Sequence, residues 1–396
     1  MWGSVTKQDN PILIVGGGIG GLAAALALAK RGFAASVLEQ APTFGEIGAG
    51  IQLGPNAFYV LDRLGLGEHL KRDAVFIDRL VMMDSLSGEE VAAIPVDEPF
   101  RKRFGNPYAV IHRADLHGVL LEGCRAAPNL TLLTSQQVTG FEETASGVEA
   151  VTREGARHNG SALVGADGLR SKIREIIAND GPPRVAGHVT FRAVLPIERM
   201  PEDLRWNAAT LWAGPNTHLV HYPLRGWKLF NVVATFHSGT TVEAANEPGD
   251  RNEILGAFRD VGAKPRKILE QPPAWRRWVL CDREPVESWT KGRATLLGDA
   301  AHPMLQYFAQ GACIALEDAL TLAAKVAASG GDMAAAFQAY QAERLVRTAR
   351  VQWSSRMLGE LYHAKGPYRL IRKEVFGAMT PEQFYDSLEW IYGWRG

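Results

Sequence analysis

Two kinds of side chain in this 396-residue sequence are spaced for chemistry: acids that follow glycine-rich turns, and a histidine and a tyrosine that alternate along one apolar run. The first acid is Glu39, eighteen residues beyond Gly21 in the stretch Gly16-Gly17-Gly18-Ile19-Gly20-Gly21, which fits GxGxxG through Gly16, Gly18 and Gly21. Glycines in that pattern let the backbone approach a pyrophosphate at a helix N-terminus, and the acid takes the ribose hydroxyls. The glycines alone would say little. An apolar run before them (12–15, ILIV), a helical pattern after them (22–30) and a second apolar run ending at Glu39 make the motif specific for an adenine dinucleotide. A carboxylate at 39, not a cation, argues against a 2′-phosphate on that ribose.

The second acid is Asp299, at the end of the apolar run 294–297 (ATLL) and the start of GDAAHPMLQYFAQGACIALEDA. The carboxyl end of a strand is where open α/β sheets hold ligands. Pro303 stops any ladder, and Gly311 with Ala312 opens an apolar helix over 312–327. The unpaired N–H groups of that first turn suit a ligand carbonyl that gains negative charge on reduction. Read alone, the segment is equally an ordinary strand, loop and helix. A third acid, Asp167, sits in ALVGADG before a helical stretch (169–177) with Arg170, Ser171 and Arg174, as a nucleotide contact or a simple tight turn. Arg113, between a strand (108–112) and a helix (114–126), reaches a phosphate or ribityl group or else lies on the surface. The second glycine-rich stretch, GEIGAGIQLGPN (45–56), includes Gly50 and can pass close to a flat ligand, a need that a protein binding only NAD does not have.

The alternating pair is in HLVHYPL. His218, Val220 and Tyr222 share one face of a strand and His221 takes the other. An imidazole and a phenol on one face can line a small aromatic pocket; an ordinary sheet face with an exposed histidine is the plainer reading. No HExxH is present and no acid lies near these histidines at ligand spacing, so no metal is expected.

The elements that must position these residues read as α/β. Strand–helix alternation surrounds each acid, a β-meander spans 130–164, and antiparallel strands fill 188–240 with a turn at Pro223-Leu224-Arg225-Gly226. A long amphipathic helix is expected over 333–355, after which the aromatics Phe384, Tyr385, Trp390, Tyr392 and Trp394 read as core or dimer contacts. Lys plus Arg and Asp plus Glu both number 43, so no basic field invites nucleic acid or an anionic membrane, and Arg101-Lys102-Arg103 reads as a solvated loop. The opening MWGSVTKQDN lacks the basic-then-apolar pattern of a signal peptide, and Cys124, Cys281 and Cys313 are too sparse for a disulfide framework. A cytoplasmic protein is expected.

Taken in order, GGGIGG with Glu39, VGADGLRSKIR and GDAAHPMLQYFAQGA resemble the single-component FAD-dependent aromatic hydroxylases, the p-hydroxybenzoate hydroxylase group, over essentially the whole chain. Within the group, EIGAGIQLGPNAF, PYAVIHRADLH, LWAGPNTHLVHYPLRG, PAWRRW, DREPV and PMLQYFAQGAC look most like the 3-hydroxybenzoate 6-hydroxylases; 6-hydroxynicotinate 3-monooxygenases, which share the HLVHYP type of strand, and salicylate 1-hydroxylases stay as alternatives. The resemblance implies a discontinuous Rossmann-like FAD domain (1–75, 105–180, 285–345), an inserted antiparallel substrate domain (76–104, 181–284) and a C-terminal helical region (346–396). It implies FAD on Gly16, Gly18, Gly20, Gly21, Glu39, Gly50, Arg113, Asp167, Asp299, Pro303, Gly311 and Ala312. NADH or NADPH and O2 are the implied co-substrates, acting through a flavin C4a-hydroperoxide. The electrophilic oxygen needs an electron-rich ring, so the resemblance gives His218 as base for the phenol, Gln306 on the same oxygen and Tyr222 orienting the ring, with Tyr108 and Asp78 shaping the pocket. The small domain and the C-terminal aromatics suggest a homodimer. From other classes, an NAD-dependent dehydrogenase predicts a colourless protein, and a non-enzymatic flavoprotein predicts FAD without turnover.

Overall fold

The run Ile12–Val15 has no polar side chain, and a strand of that kind must be covered on both faces. In the computed structural model, which describes residues 10–45 and 48–396, it lies in the middle of a six-stranded sheet. The order is Thr290–Lys291, Ala294–Leu296, Ala162–Gly165, Ile12–Val15, Ala35–Leu38, Leu130–Leu133, parallel except for the first pair. The first nine residues of the opening stretch read for a signal, and Glu46 and Ile47 of the second glycine-rich stretch, lie outside the described residues. The register decides the function of this sheet: Val15 is level with Gly165, and Gly165 with Leu296. With Val15 level with Leu38 as well, the glycine-rich turn and the turns bearing Glu39, Asp167 and Asp299 all leave the sheet at its carboxyl end. Two apolar helices, Ile19–Lys30 and Gly311–Ala328, start at that end and pack on each other.

An eight-stranded sheet stands apart, in the order Glu247–Gly249, Trp275–Asp282, Arg184–Pro196, Leu229–His237, Thr217–Leu224, Ala208–Gly214, Arg79–Asp84, Glu90–Pro95. Its neighbours are antiparallel except Ala208–Gly214 with Arg79–Asp84. Pairing puts Thr190, Thr235 and His218 in one row, and Asn231 with Tyr222 in the row four residues on. Period-two alternation then gives the whole set one face. The backbone N–H of Gly50 donates to Asn231 Oδ1 at 2.8 Å, joining the short sheet Gly50–Leu53, Ala109–His112, Val75–Phe76 to this one.

The long helix runs Met333–Tyr362, seven residues beyond the expected end, and two more helices, Pro367–Gly377 and Pro381–Tyr392, fold back toward the large sheet. Arg369 and Arg372 anchor that return on buried Asp84 at 2.6 and 3.4 Å. Arg101-Lys102-Arg103 is solvated as expected but lies on a helix, Glu98–Phe104, because Phe100 and Phe104, one turn apart, bury against Tyr385 and Tyr392. Trp275–Asp282, left without an element from sequence, is a strand. The helix expected from 169 begins at Lys172, since Gly168 has a φ of +77° and Ser171 caps the first turn through Arg174 N–H. Among the described residues no helix is long and apolar enough to cross a membrane.

Candidate active site

A cavity of about 700 Å³ runs from the glycine-rich turn to the face of the large sheet. Gly16, Gly18, Gly20, Glu39, Gly50, Arg113, Asp167, Asp299, Gly311 and Ala312 line one part; Tyr108, His218, Tyr222 and Gln306 line the other. Gly21 and Pro303 are outside the lining. Gly21 is needed for a different reason: a Cβ there would collide with the Gly16 carbonyl oxygen, so strand and helix could not approach. Pro303 is buried behind the loop, its carbonyl held by Gln352 Nε2 at 3.1 Å. Asp78 is corrected as a pocket residue: its side chain is exposed, and its backbone joins Asn207 and Val96 away from the cavity.

At the nucleotide end, Gly16 has a φ of +107°, which a side chain disfavours. Glu39 accepts from the N–H groups of Gly17 and Ala41 at 2.7 and 2.8 Å, so its carboxylate is braced at the lip of the loop. Asp167 accepts from Ser171 Oγ at 2.5 Å and Lys172 N at 2.8 Å, which makes it a brace for the following helix while still facing the cavity. Arg174, offered by sequence with the nucleotide set, is instead buried and donates to the carbonyls of Ala300 and Ala301, holding the Asp299 turn from behind. A Cβ on Gly311 would find only Asp299 Oδ1, at 4.0 Å, so the helix start leaves open room for a flat ligand beside its unpaired N–H groups. Glycine cradle, ribose-directed acid, exposed Asp299 and open helix end together suit FAD.

A buried ion cluster that sequence reading missed fixes this loop. Arg344 reaches Glu317 at 2.8 Å and Asp318 at 2.7 Å, all three fully buried. Asp318 also takes His302 at 2.5 Å and the Gly298 N–H at 3.1 Å, while Glu317 takes Arg347 and Asn56. Burial opposes ionisation of Asp318, but His302 and Arg344 outweigh it and hold the carboxyl at about 2. The motif loop, the helix behind it and the long helix are thus tied at one point.

At the sheet end, His218 and Tyr222 do share a face and are buried, which removes the plainer reading of an exposed histidine. His218 Nδ1 is 2.7 Å from His363 Nε2. Burial, then nearby His188 and His237, lower the His218 imidazole to about 3. Burial pushes the Tyr222 phenol above its ordinary range. Gln306 is engaged at both ends: Oε1 accepts from Arg192 at 2.6 Å, and Nε2 donates to Thr235 and Thr190 at 2.9 and 3.2 Å. Arg192 was missed, although it follows Thr190 on the same face of its strand. Tyr108 donates to Gln52 Oε1 at 2.8 Å. The apolar wall is Leu80, Met82, Ile94, Leu211 and Val220. Phe384 and Tyr392, expected only as core or dimer contacts, also line the cavity. Spacing gave no reason for a metal, yet the fold brings ring nitrogens of His188, His237 and His363 within 4.8 Å of one another.

The FAD binding domain family model matches residues 9–354. The 3-hydroxybenzoate 6-hydroxylase of Polaromonas naphthalenivorans (strain CJ2) is 50% identical over 392 residues, 99% of this chain and 98% of that one. The 3-hydroxybenzoate 6-hydroxylase 1 of Aquipseudomonas alcaligenes is 49% identical over 387 residues, 98% of each chain. Among solved structures, Klebsiella pneumoniae HpxO complexed with FAD and uric acid superposes with a TM-score of 0.86 at 26% identity, covering 99% of both chains. The match extends from the glycine-rich turn through the Gly311 helix to the middle of the long helix, and by it this chain belongs to the FAD-binding domain family of flavoprotein hydroxylases.

Proposed function

We propose that the protein is a single-component FAD monooxygenase that converts 3-hydroxybenzoate to 2,5-dihydroxybenzoate (gentisate) with NADH and O2. The observation that carries this reading is that His218 and Tyr222 line the same continuous cavity as Asp299 and Gly311. Bound FAD, once reduced, supplies an electrophilic oxygen from O2. What the chain must supply is an electron-rich ring, held still and kept dry. His218 has Nδ1 committed to His363, which leaves Nε2 for the substrate hydroxyl. Withdrawing that proton raises electron density ortho and para to the oxygen, and carbon 6 is the para position. Tyr222 lies in the same strand two positions beyond Val220 and orients the ring; Tyr108 shapes the far wall.

Gln306 has both ends bound in the structure, so its contact with the substrate oxygen requires it to exchange one of the Arg192 or threonine partners. The division into FAD domain (1–75, 105–180, 285–345), substrate domain (76–104, 181–284) and C-terminal helices (346–396) is part of this reading. A homodimer is also proposed, supported by the exposed stripe Val346, Trp353 and Met357 along one face of the long helix. A cytoplasmic setting accords with three free cysteines.

The test is NADH oxidation by the purified yellow protein with 3-hydroxybenzoate, 6-hydroxynicotinate and salicylate, repeated with NADPH. Fastest coupled turnover with 3-hydroxybenzoate and NADH supports the reading; coupled turnover only with the pyridine acid or salicylate replaces it.

A further inference from the structure

Three histidines from three different elements stand in line between the cavity and the outside. His218 lies on the strand Thr217–Leu224, His363 caps the long helix Met333–Tyr362, and His237 ends the strand Leu229–His237. His218 Nδ1 is 2.7 Å from His363 Nε2, and His363 Nδ1 is 2.8 Å from His237 Nε2. His218 and His363 are buried, and His237 is exposed. His218 lines the cavity, whereas His363 and His237 do not. The backbone fixes the junction as well: Asn216 N–H donates to the His363 carbonyl at 3.0 Å.

We propose that His218, His363 and His237 form a wire that moves a proton between the hydroxyl of the bound phenol and solvent. The proposal rests on His218 being the base for that hydroxyl. The step balances without any electron transfer. The substrate O–H breaks as its proton goes to His218 Nε2. His218 Nδ1–H then passes its proton to His363 Nε2, His363 Nδ1–H passes its proton to His237 Nε2, and His237 gives one to water from Nδ1. Every ring ends neutral in the opposite tautomer. Running backwards as the product forms, the same chain restores the tautomers and returns a proton to the ring oxygen.

Physical reasons favour a wire over a single buried base. Burial and the neighbouring imidazoles make positive charge costly on His218 and His363, so neither can store the proton. His363 faces His218, His237, His188 and Arg372, all of which disfavour a charge there. At His237 burial again opposes charge, with Glu360 favouring and Lys365 disfavouring it, but water is at hand to take the proton. A metal is the other use of such a cluster. The His237 and His363 nitrogens, 2.8 Å apart, are closer than the ~3.3 Å expected of two ligands on a tetrahedral zinc with bonds of ~2.05 Å. They are set for a shared hydrogen.

The experiment uses the FAD-loaded full chain and its His363→Gln, His237→Gln and His237→Ala variants. Each is mixed rapidly with 3-hydroxybenzoate in weak buffer containing a pH indicator, and proton release is followed beside single-turnover hydroxylation. Both should slow by roughly 10- to 100-fold in the variants, with flavin reduction unchanged, and added imidazole should restore His237→Ala but leave wild type unaffected. Wild-type rates of proton release and hydroxylation in all three variants would overturn the wire, as would loss without rescue by imidazole. If His363→Gln does not fold, the exposed His237 variants decide alone. If wild type makes no product from 3-hydroxybenzoate, the substrate reading fails separately, and the same comparison with 6-hydroxynicotinate decides the wire.

Discussion

Replacing Arg344 with Met tests whether the buried ion cluster holds the flavin-facing loop. Arg344 sits between two carboxylates, at 2.8 Å from Glu317 and 2.7 Å from Asp318, with no solvent on any of the three. Without it Glu317 keeps Arg347 at 2.7 Å, but Asp318 keeps only His302 at 2.5 Å and one N–H at 3.1 Å. The wild-type Asp318 carboxyl, at about 2 against an ordinary 3.8, contributes about 2 kcal/mol above pH 4. The variant loses that and carries an uncompensated buried charge, for a total cost of about 3–5 kcal/mol. The sign of the pH dependence follows. In wild type the Asp318 contribution is present above 3.8 and lost as pH falls through 2. In the variant the guanidinium's share of the lowering is gone while His302 remains, so the folded pKa moves up from its wild-type position, and the penalty is largest at neutral pH and shrinks on acidification as the group takes up a proton. Thermal melts of the two proteins from pH 8 to 5, with bound FAD measured by absorbance, should show the gap narrowing toward pH 5 and weaker FAD retention at pH 8. An Arg344→Met protein that melts with wild type and keeps its FAD refutes the reasoning, and a gap independent of pH refutes its electrostatic part.

Further outcomes follow from the same geometry. His218→Asn should lower hydroxylation by about 10²- to 10⁴-fold while NADH still reduces the flavin, read by product yield against stopped-flow flavin bleaching; equal hydroxylation rates would remove the base role. Gly311→Val puts a branched side chain into the open space beside Asp299, so the purified protein should be colourless or bind FAD much more weakly, as seen in its visible spectrum. Burial holds His188 at about 4 and His218 and His221 at about 3, with neighbouring imidazoles adding to the shift for the first two. These groups stay neutral when folded but take up protons below pH 6.5 when unfolded. Stability should therefore fall by about 1 kcal/mol per imidazole between pH 7 and 5.5, and a flat melting profile over that range would contradict their burial.

The nucleotide end was legible because its constraints are local. Gly16, Gly21 and Glu39 are spaced by one strand and one helix, and the apolar runs that carry the three acids are too uniformly buried to be anything but parallel strands. The alternation of His218 and Tyr222 also survived folding, since a one-residue period error would have turned both away from the cavity. What sequence concealed depended on long-range pairing. Arg192 and Thr190 enter the site only because the strand Arg184–Pro196 neighbours Leu229–His237, and His363 only because the long helix overran its expected end to cap against the large sheet. Asp78 was misplaced because a β excursion had no register until its pairing with Asn207 was known. Asp167 and Arg174 lie in the nucleotide motif, yet Asp167 spends its hydrogen bonds on the start of the helix that follows it, and Arg174 braces the Asp299 turn from behind.

The central claim is the reaction, and its most direct measurement is the identity of the product. The FAD-loaded protein, NADH, air and 3-hydroxybenzoate are mixed and resolved by chromatography with mass detection. The account predicts one 2,5-dihydroxybenzoate for each NADH consumed. NADH consumed with only hydrogen peroxide formed, or hydroxylation at another ring carbon, would contradict it.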